Sequence, residues 1–218
     1  MSLPDYVSTS TYTEFQWSST GPGNGESGVK LARTIIKLVT ELSDVRTICD
    51  LGCGNGYITS RLSSLNYKTI GVDASESGVN IARTTYPEVV FLRSLIDRSL
   101  RTTTGLSQID LVISSDVIEH LYRPADLFEA ALSLLKPKGH IVITTPYHGY
   151  LKNLALAITG KLDSHFSALD DGGHIKFFSV KTLSDLMERN GFDNLKFRFY
   201  GRSPWLWKNM ICHGRRKS

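Results

Sequence analysis

Along most of the chain, short apolar runs alternate with segments whose apolar residues recur at helical spacing. Near-continuous β-branched runs are typical of strands buried on both faces, and a recurrence every three or four residues is typical of amphipathic helices. Strands are therefore predicted at 46–49, 69–72, 89–92, 111–114 and 141–144, and helices at 29–42, 57–65, 75–85 and 124–135. This alternation predicts a doubly wound α/β domain with a parallel sheet.

The pattern differs after the fifth strand. This part of the chain predicts a short helix at 151–159, a helix at 179–190, and strands at 195–200 and 209–213. Ser179 is the expected N-cap of the longer helix, and Gly191 is expected to end it. The last two strands are close in the chain, so we expect them to pair as an antiparallel hairpin with a turn around 201–204.

Two segments lie outside this regular pattern. The first is an N-terminal arm, residues 1–28, which carries Tyr12, Phe15 and Trp17 and ends in a glycine-rich stretch that predicts a flexible lid. The second is a long insert at 146–178, which we interpret as a cap over a substrate, since long loops are often functional lids. Its apolar residues line either the substrate cavity or the cap's own core: Tyr147, Tyr150, Leu151, Leu154, Phe166, Phe177 and Phe178.

Composition excludes several classes of protein. With 218 residues, of which 41% are hydrophobic and 21% charged, the chain has the content of one ordinary folded domain. No run of about 18 apolar residues predicts a spanning helix, and the first residues lack the pattern of a secretory signal. The three cysteines form no CxxC pair, which argues against a disulfide scaffold and predicts a cytoplasmic protein.

Charge is distributed unevenly. The segment 194–218 contains seven basic residues and no acidic residue, and aromatic residues are interleaved among them. Three interpretations stay open: an ordinary hairpin with a charged outer face, a weak contact with an anionic membrane surface, or stacking on nucleic-acid bases. The small size of the basic segment argues against nucleic acid as a partner.

The stretch DLGCGNG, at 50–56, lies between the first strand and the next helix. Glycines at alternate positions allow a tight turn and let a ligand approach bare backbone at the carboxyl end of the strand. The spacing is not the GxGxxG of a dinucleotide fold, because Tyr57 stands where the third glycine would be. The absence of a following Gly-Lys-Ser/Thr also excludes a P-loop, so the loop predicts a nucleoside ligand without a diphosphate.

Asp73 ends the second strand, 21 residues after Gly52. A carboxylate at this position accepts hydrogen bonds from both ribose hydroxyls in dinucleotide folds. The alternative is an aspartate that caps a helix or a turn. Its combination with the glycine loop favours ribose binding.

With these residues the chain resembles the class I S-adenosylmethionine-dependent methyltransferases, over about residues 29–199. The matching motifs are DLGCGNG at 50–56, IGVDAS at 70–75, DLVISSDVIEHL at 110–121 and LLKPKGHIVITTP at 134–146. The later half is similar to the ubiquinone-biosynthesis O-methyltransferases, through Glu119–His120, the TTP at 144–146, His174 and the NGF at 190–192. The resemblance implies a seven-stranded, mostly parallel sheet with a C-terminal antiparallel hairpin, and a methyltransferase domain spanning 29–218.

The resemblance also implies roles for individual residues toward S-adenosylmethionine and its product S-adenosylhomocysteine. The methionine part of the cofactor is expected to contact Gly52, Cys53 and Gly54, and its amine to contact Asp50. The ribose is expected to contact Asp73 and Ala74, and the adenine to contact Leu95 and Ile96. Ser115 and Asp116 are expected beside the sulfonium. The family often places an acid near the adenine, where this chain has Leu95. Either Asp97 substitutes for that acid, or the two apolar residues pack on the ring.

Methyl transfer to a hydroxyl group is helped by a base that removes the proton, and histidine is the usual base. We predict His120 and His174 as catalytic residues, with a structural role as the alternative for each. Three interpretations of Glu119 stay open: it is a second possible base, it orients His120, or it is a solvated acid at the start of a helix. No metal ion is expected.

The leading hypothesis is O-methylation of a small, partly apolar molecule. The alternatives are N- or C-methylation of a small molecule, and a non-catalytic protein that binds S-adenosylmethionine. The sequence SSDV stands where methyltransferases of planar amines carry DPPY or NPPY. This difference argues against methylation of adenine or of glutamine amides.

Overall fold

The computed structural model describes residues 5–6, 15–23, 25–166, 173–202 and 204–217. Its sheet is built from eight strands: β1 (Asp5–Tyr6), β2 (Thr47–Leu51), β3 (Lys68–Asp73), β4 (Val90–Ser94), β5 (Ile109–Ser115), β6 (Leu135–Pro146), β7 (Phe192–Tyr200) and β8 (Asn209–Arg216). Their order across the sheet is β1-β4-β3-β2-β5-β6-β8-β7. The first six strands are parallel, and β8 is antiparallel to both of its neighbours.

In the described part of the chain, eight α-helices connect or follow the strands: α1 (Glu26–Thr40), α2 (Tyr57–Ser63), α3 (Glu76–Thr85), α4 (Leu100–Thr104), α5 (Ala125–Leu134), α6 (Tyr150–Ile158), α7 (Leu162–Phe166) and α8 (Val180–Arg189). A 3₁₀ turn at Ile118–His120 follows β5. Within the described residues, no helix has the length and apolar character needed to cross a membrane.

Both faces of the sheet are covered by helices. Ile48 of β2 points to a cluster shared with α1 and α2, whereas its neighbour Cys49 points to the opposite cluster, shared with α4, α5 and α8. Phe91 of β4 packs against α3. Alternate residues therefore face opposite apolar layers, which explains why these strands have near-continuous apolar sequences.

The predicted α/β fold and its seven strands are confirmed, and so is the C-terminal hairpin, in which β7 pairs with β8. The predicted caps are also present. Ser75 Oγ accepts a hydrogen bond from the Gly78 amide (3.0 Å), and Ser179 forms a reciprocal capping box. Gly191 follows α8 with a φ of +85°, the left-handed conformation typical of a helix stop.

The structure adds elements that the sequence pattern did not predict. These are the two-residue strand β1 at the sheet edge and the five-residue helices α4 and α7. The fifth predicted strand is also longer than expected, because β6 continues directly from α5 at Leu135. The carboxyl ends of β2, β3, β4 and β5 lie at one edge of the sheet, and the loops after them form the site described below.

Candidate active site

The glycine loop turns sharply out of β2. The amides of Gly52 and Cys53 both donate to the carbonyl of Val72, at 2.7 and 3.1 Å, which ties the loop to the end of β3. Gly52 has a φ of +81°, and a Cβ built there would lie 2.2 Å from Val117 Cγ2. Both the backbone angle and the close contact therefore require glycine.

Asp50 lies beneath this loop and is fully buried. Its Oδ2 accepts a hydrogen bond from Thr59 Oγ1 at 2.6 Å, while Oδ1 has no hydrogen-bond partner among the described residues. Burial raises the pKa of Asp50 to about 7, and the negative charge of Asp73 adds to the shift. The unsatisfied oxygen fits the predicted role of Asp50 as an acceptor for a cofactor amine. Thr59, which holds the carboxyl group, is a site residue that the sequence analysis missed.

Asp73 joins the two loops expected to hold the cofactor. Its carboxylate accepts hydrogen bonds from the Gly54 amide (2.7 Å) and from the Ser75 amide (2.8 Å). The sequence left open whether this residue caps a turn or binds ribose, and the structure shows the turn contact. The adjacent Ala74 carbonyl accepts a bond from Arg93 Nε (3.3 Å), which links this loop to β4.

The loop after β4 lies beside the loop that carries Asp73. Ile96 packs against the core, and Asp97 accepts bonds from the amide (2.7 Å) and the hydroxyl (2.6 Å) of Ser99 before α4. Leu95 is exposed. Asp97 is thus engaged in a local turn, and Leu95 is an exposed apolar residue of this loop.

The N-terminal arm, described from residue 15 onward, lies on the same loops; Tyr12 falls outside the described residues. The ring of Trp17 lies close to Gly54 and Gly78. A Cβ atom added at Gly54 would lie 2.2 Å from the nearest ring atom, and one added at Gly78 would lie 2.9 Å from it. Side chains of the two loops bond to the arm backbone. These bonds run from Ser75 Oγ to the Phe15 carbonyl (2.8 Å), from the Trp17 amide to Ser77 Oγ (2.9 Å), and from Asn55 Nδ2 to the carbonyls of Ser19 (2.8 Å) and Gly21 (2.7 Å).

The end of β5 supplies two more predicted residues. Asp116 has a φ of +53°, and Thr144 on the neighbouring strand holds it there. Thr144 Oγ1 accepts from the Asp116 amide (3.0 Å) and donates to Asp116 Oδ1 (2.8 Å), and it also lies 3.2 Å from Ser115 Oγ. Burial raises the pKa of Asp116. Thr144 was recognised only as part of a motif, and the structure shows that it positions Asp116.

Glu119 differs most from its expected environment. It is fully buried, and neither carboxyl oxygen has a hydrogen-bond partner among the described residues, so the interpretation as a solvated acid is wrong. Its backbone carbonyl accepts from the amides of Ile175 and Lys176, both at 3.0 Å, which anchors this part of the cap to the site. Burial, followed by the charge of Asp116, raises the pKa of Glu119 well above its ordinary value.

His120 and His174 come from distant parts of the chain and meet beside Glu119. Their rings pack edge to face with centroids 4.8 Å apart, and His120 Nδ1 lies 3.3 Å from the Gly173 carbonyl. Burial, and then the neighbouring His120, lowers the pKa of His174, which favours the neutral imidazole. A proton acceptor is therefore present at this end of β5.

One carboxyl oxygen and two ring nitrogens, from Glu119, His120 and His174, lie within 4.8 Å of one another. Imidazole and carboxylate are ligands that Zn²⁺ accepts, so these three residues are able to hold a divalent cation. The absence of a metal, expected from the sequence, stays a prediction.

The remaining histidines lie elsewhere. His148 is buried in the cap against the rings of Phe177 (4.9 Å) and His165 (5.3 Å), and burial lowers its pKa to about 4. His140 pairs with His213 (2.8 Å between ring nitrogens) at the opposite edge of the sheet.

The cap residues divide into two groups. Phe166 and Phe177 pack together at 4.7 Å, and Phe178 is buried in the core of the domain. Tyr150, Leu151 and Leu154 are instead exposed on α6, so they do not form the interior of the cap.

Comparison with known proteins identifies relatives over most of the chain. The family described as "Methyltransferase domain" matches residues 26–196. The ubiquinone biosynthesis O-methyltransferase of Roseobacter denitrificans is 31% identical over 169 residues, which cover 74% of this chain and 66% of that protein. The corresponding protein of Ruegeria sp. is 28% identical with the same coverage. The chain thus spans just under two thirds of the length of these curated relatives.

Solved structures show the same fold. An S-adenosylmethionine-dependent methyltransferase from Archaeoglobus fulgidus has a TM-score of 0.66 at 18% identity, covering 86% of this chain and 94% of that one. The magnesium protoporphyrin IX methyltransferase of Synechocystis PCC 6803, with bound S-adenosylhomocysteine, has a TM-score of 0.63 at 16% identity and covers 86% of this chain and 82% of that one.

Proposed function

The chain belongs to the methyltransferase domain family, as a class I enzyme that depends on S-adenosylmethionine, and from this premise we propose that it methylates a hydroxyl oxygen of a small, partly apolar acceptor. The observation that carries the proposal is the pair of imidazoles, His120 and His174, at the end of β5. A hydroxyl nucleophile benefits from such a base, whereas a neutral amine does not need one. The naming of similar proteins as O-methyltransferases agrees with this choice.

The cofactor supplies an activated methyl group on a sulfonium centre. In the proposed arrangement the ring of Trp17 moves off Gly54, so that Gly52, Cys53 and Gly54 offer bare backbone to the methionine part of the cofactor, and Asp50 accepts from its amine. Asp73 would exchange part of its present bonding to the loop amides for the ribose hydroxyls, with Ala74 beside it. The exposed Leu95 would pack on the adenine, while Ile96, partly buried against the core, supports it.

The acceptor then lies between the end of β5 and the cap. His174, in its neutral form, would accept the proton of the acceptor hydroxyl, and the cofactor would supply the methyl group that this oxygen takes up. His120 packs edge to face on the base and orients it. Ser115 and Asp116, fixed by Thr144, contact the sulfonium side. Positioning the nucleophile in line with the methyl group supplies most of the acceleration in such reactions.

N-methylation is the second candidate. It would use Asp116 or Glu119 to attract a cationic amine. The burial of Glu119 favours its protonated form, which weakens that attraction and favours the hydroxyl acceptor. A protein that binds the cofactor without catalysis is the third candidate, and it would require no base at all.

A methyl-transfer assay tests the proposal. S-adenosylmethionine with a labelled methyl group is incubated with an alkyl-substituted catechol or with the matching aniline, and the product is identified by mass spectrometry. We expect a methyl ether from the catechol. His174→Gln should lower kcat by roughly 10²-fold, the size of a general-base effect, and should remove the fall in rate at acidic pH. His120→Gln removes only the orienting ring, so it should lower kcat while the fall in rate at acidic pH remains.

His213→Gln is the matched control, because that histidine lies at the opposite edge of the sheet. It should leave kcat unchanged, and all three variants should bind S-adenosylhomocysteine like the parent protein. A methylated nitrogen, or full activity in both site variants, would contradict the proposal. Turnover that is lost on chelation and restored by Zn²⁺ would assign Glu119 and the two histidines to a metal instead.

A further inference from the structure

In helix α6 of the cap, the charged residue is buried and several large apolar residues are exposed, the reverse of the usual arrangement. Its only charged residue, Lys152, is 2% exposed, whereas Tyr150 and Ile158 are 79% and 77% exposed. Leu151 and Leu154 are exposed as well. These residues recur at helical spacing, so they form one apolar stripe on the outside of the cap. A surface helix normally buries such a stripe.

Backbone carbonyl groups hold the buried side chain of Lys152 in place. Lys152 Nζ donates to the Tyr147 carbonyl at 2.6 Å and lies 3.5 Å from the carbonyl of Lys208. Burial, followed by the charges of Arg202 and Lys208, lowers the pKa of Lys152 to about 8. The orientation of α6 is therefore fixed by contacts with the domain, and the outward apolar stripe is a consequence of that orientation.

A second apolar segment lies beside α6, in the loop between β7 and β8. Trp205 is 62% exposed and Leu206 is also exposed. The loop is held against the start of the cap, because Trp207 packs on Tyr147 at 5.9 Å and Lys152 bonds to Lys208. We call α6 and the described part of the loop at 201–208 the cap face.

The charges of this surface are positive. Arg202 and Lys208 flank the exposed tryptophan, and the sequence 201–208 contains no acidic residue. The same holds for the whole segment 194–218, with seven basic residues and no acid. A hydrophobic protein partner would not require this charge, whereas an anionic membrane surface attracts it.

From these observations we propose that the cap face docks on the surface of an anionic phospholipid bilayer. Tryptophan and tyrosine favour the interface between headgroups and acyl chains, and leucine and isoleucine side chains enter the acyl boundary next to them. Nine residues of helix span about 14 Å at 1.5 Å per residue, too short to cross a bilayer but long enough to lie in its surface. Arg202 and Lys208 would contact the lipid phosphates at the rim.

Vesicle flotation tests the proposal on the full chain. Vesicles are made of phosphatidylcholine alone or with 30% phosphatidylglycerol. We expect the parent protein to float with the anionic vesicles and at least tenfold less with the neutral ones, with binding weakened by added salt. Leu154→Ser combined with Ile158→Ser should reduce flotation at least tenfold, and Arg202→Gln should reduce both the binding and its dependence on salt.

The matched control is Leu65→Ser, at an exposed leucine (45%) after α2 and away from the cap face. It should float like the parent protein. All variants change exposed residues, and retained binding of S-adenosylhomocysteine verifies that they are folded, whatever the acceptor of the enzyme is. The proposal is overturned if the parent protein binds neither vesicle, if Leu65→Ser is equally impaired, or if the double substitution instead abolishes a dimer seen without lipid.

Discussion

Asp50 lies at the end of β2, fully buried beneath the glycine loop, with Thr59 bonded to one of its two oxygens. Burial raises its pKa to about 7, from an ordinary value near 3.8. Between those two pH values the folded protein binds a proton that the unfolded chain does not. The stability contributed by the protonated carboxyl is therefore present at low pH and is lost as the pH rises through about 7.

Replacement of Asp50 by Asn should remove this dependence. A shift of about three pKa units corresponds to roughly 4 kcal/mol, so the free energy of unfolding of the parent protein should fall by about that much more than that of Asp50→Asn between pH 4 and pH 8. Urea unfolding of both proteins across that range measures the difference, and contributions of other groups cancel. Parallel curves would show that Asp50 is ionised in the folded protein already at acidic pH.

At the scale of residues, the sequence located the members of the site that stand in a local motif. Gly52 and Asp73 each end or follow a strand, and their neighbours in the sequence identify them. Thr144 and Ser77 were not recognised as partners, because they bond to Asp116 and Trp17 across 28 and 60 residues of sequence. Such bonds depend on the packed structure and leave no local pattern.

Among the elements, the N-terminal arm is the one most closely tied to the glycine loop. Trp17 packs directly on Gly54, and the arm backbone bonds to Asn55 and Ser75 of the loops after β2 and β3 and to Ser77 in the first turn of α3. A side chain at position 54 would occupy the space of the indole ring. The lid role predicted for residues 1–28 therefore depends on this contact.

Gly54→Ala should displace the arm. The new Cβ would lie 2.2 Å from Trp17 Cζ2, so hydrogen exchange at residues 15–23 should become faster by more than tenfold. Gly105→Ala is the matched control, because its φ of +71° imposes similar backbone strain with no atom within 4 Å of the new Cβ. If the arm exchanges equally fast in both variants, backbone strain rather than the indole contact explains the effect.

Elements with strong periodicity were predicted well, and short or unusual ones were not. The buried strands and long helices have enough apolar residues to define a period, but α4 and α7 contain five residues each. The periodicity of α6 predicted a helix correctly. It did not reveal that Lys152 faces inward and that Leu151 and Leu154 face outward. Their exposure argues against the cap's own core, one of the two alternatives that the sequence left open for them.

For the whole molecule, the sheet separates two regions of different chemistry. The carboxyl ends of the strands carry the site, while the opposite edge holds a polar cluster in which His140 bonds to Asp44 (3.0 Å) and His213 (2.8 Å). Burial lowers the pKa of His213 to about 4, so this cluster contains a neutral imidazole at physiological pH. Its contacts join β6 and β8 to the loop between α1 and β2, which is a structural role.

The arrangement of the strands in space is only partly contained in the sequence pattern. Alternation of strands and helices predicted a parallel sheet, the short separation of the last two strands predicted the hairpin, and the family resemblance supplied the number of strands. The pairing of β1 with β4 joins Tyr6 to Ser94, a separation of 88 residues with only two residue pairs in register. So short a strand has no periodicity, and its partner follows from packing alone.

The central claim is that the glycine loop and Asp73 hold the cofactor. The most direct test is calorimetric titration of S-adenosylhomocysteine into the parent protein, Asp73→Ala and the control Asp97→Ala, whose carboxylate serves a local turn at the same edge of the sheet. We predict one site per chain, an affinity for Asp73→Ala weaker by about 1–3 kcal/mol, or roughly 5- to 150-fold, and a change of about twofold or less for Asp97→Ala. Equal affinity of the parent protein and Asp73→Ala, or weakening only in Asp97→Ala, would contradict the account.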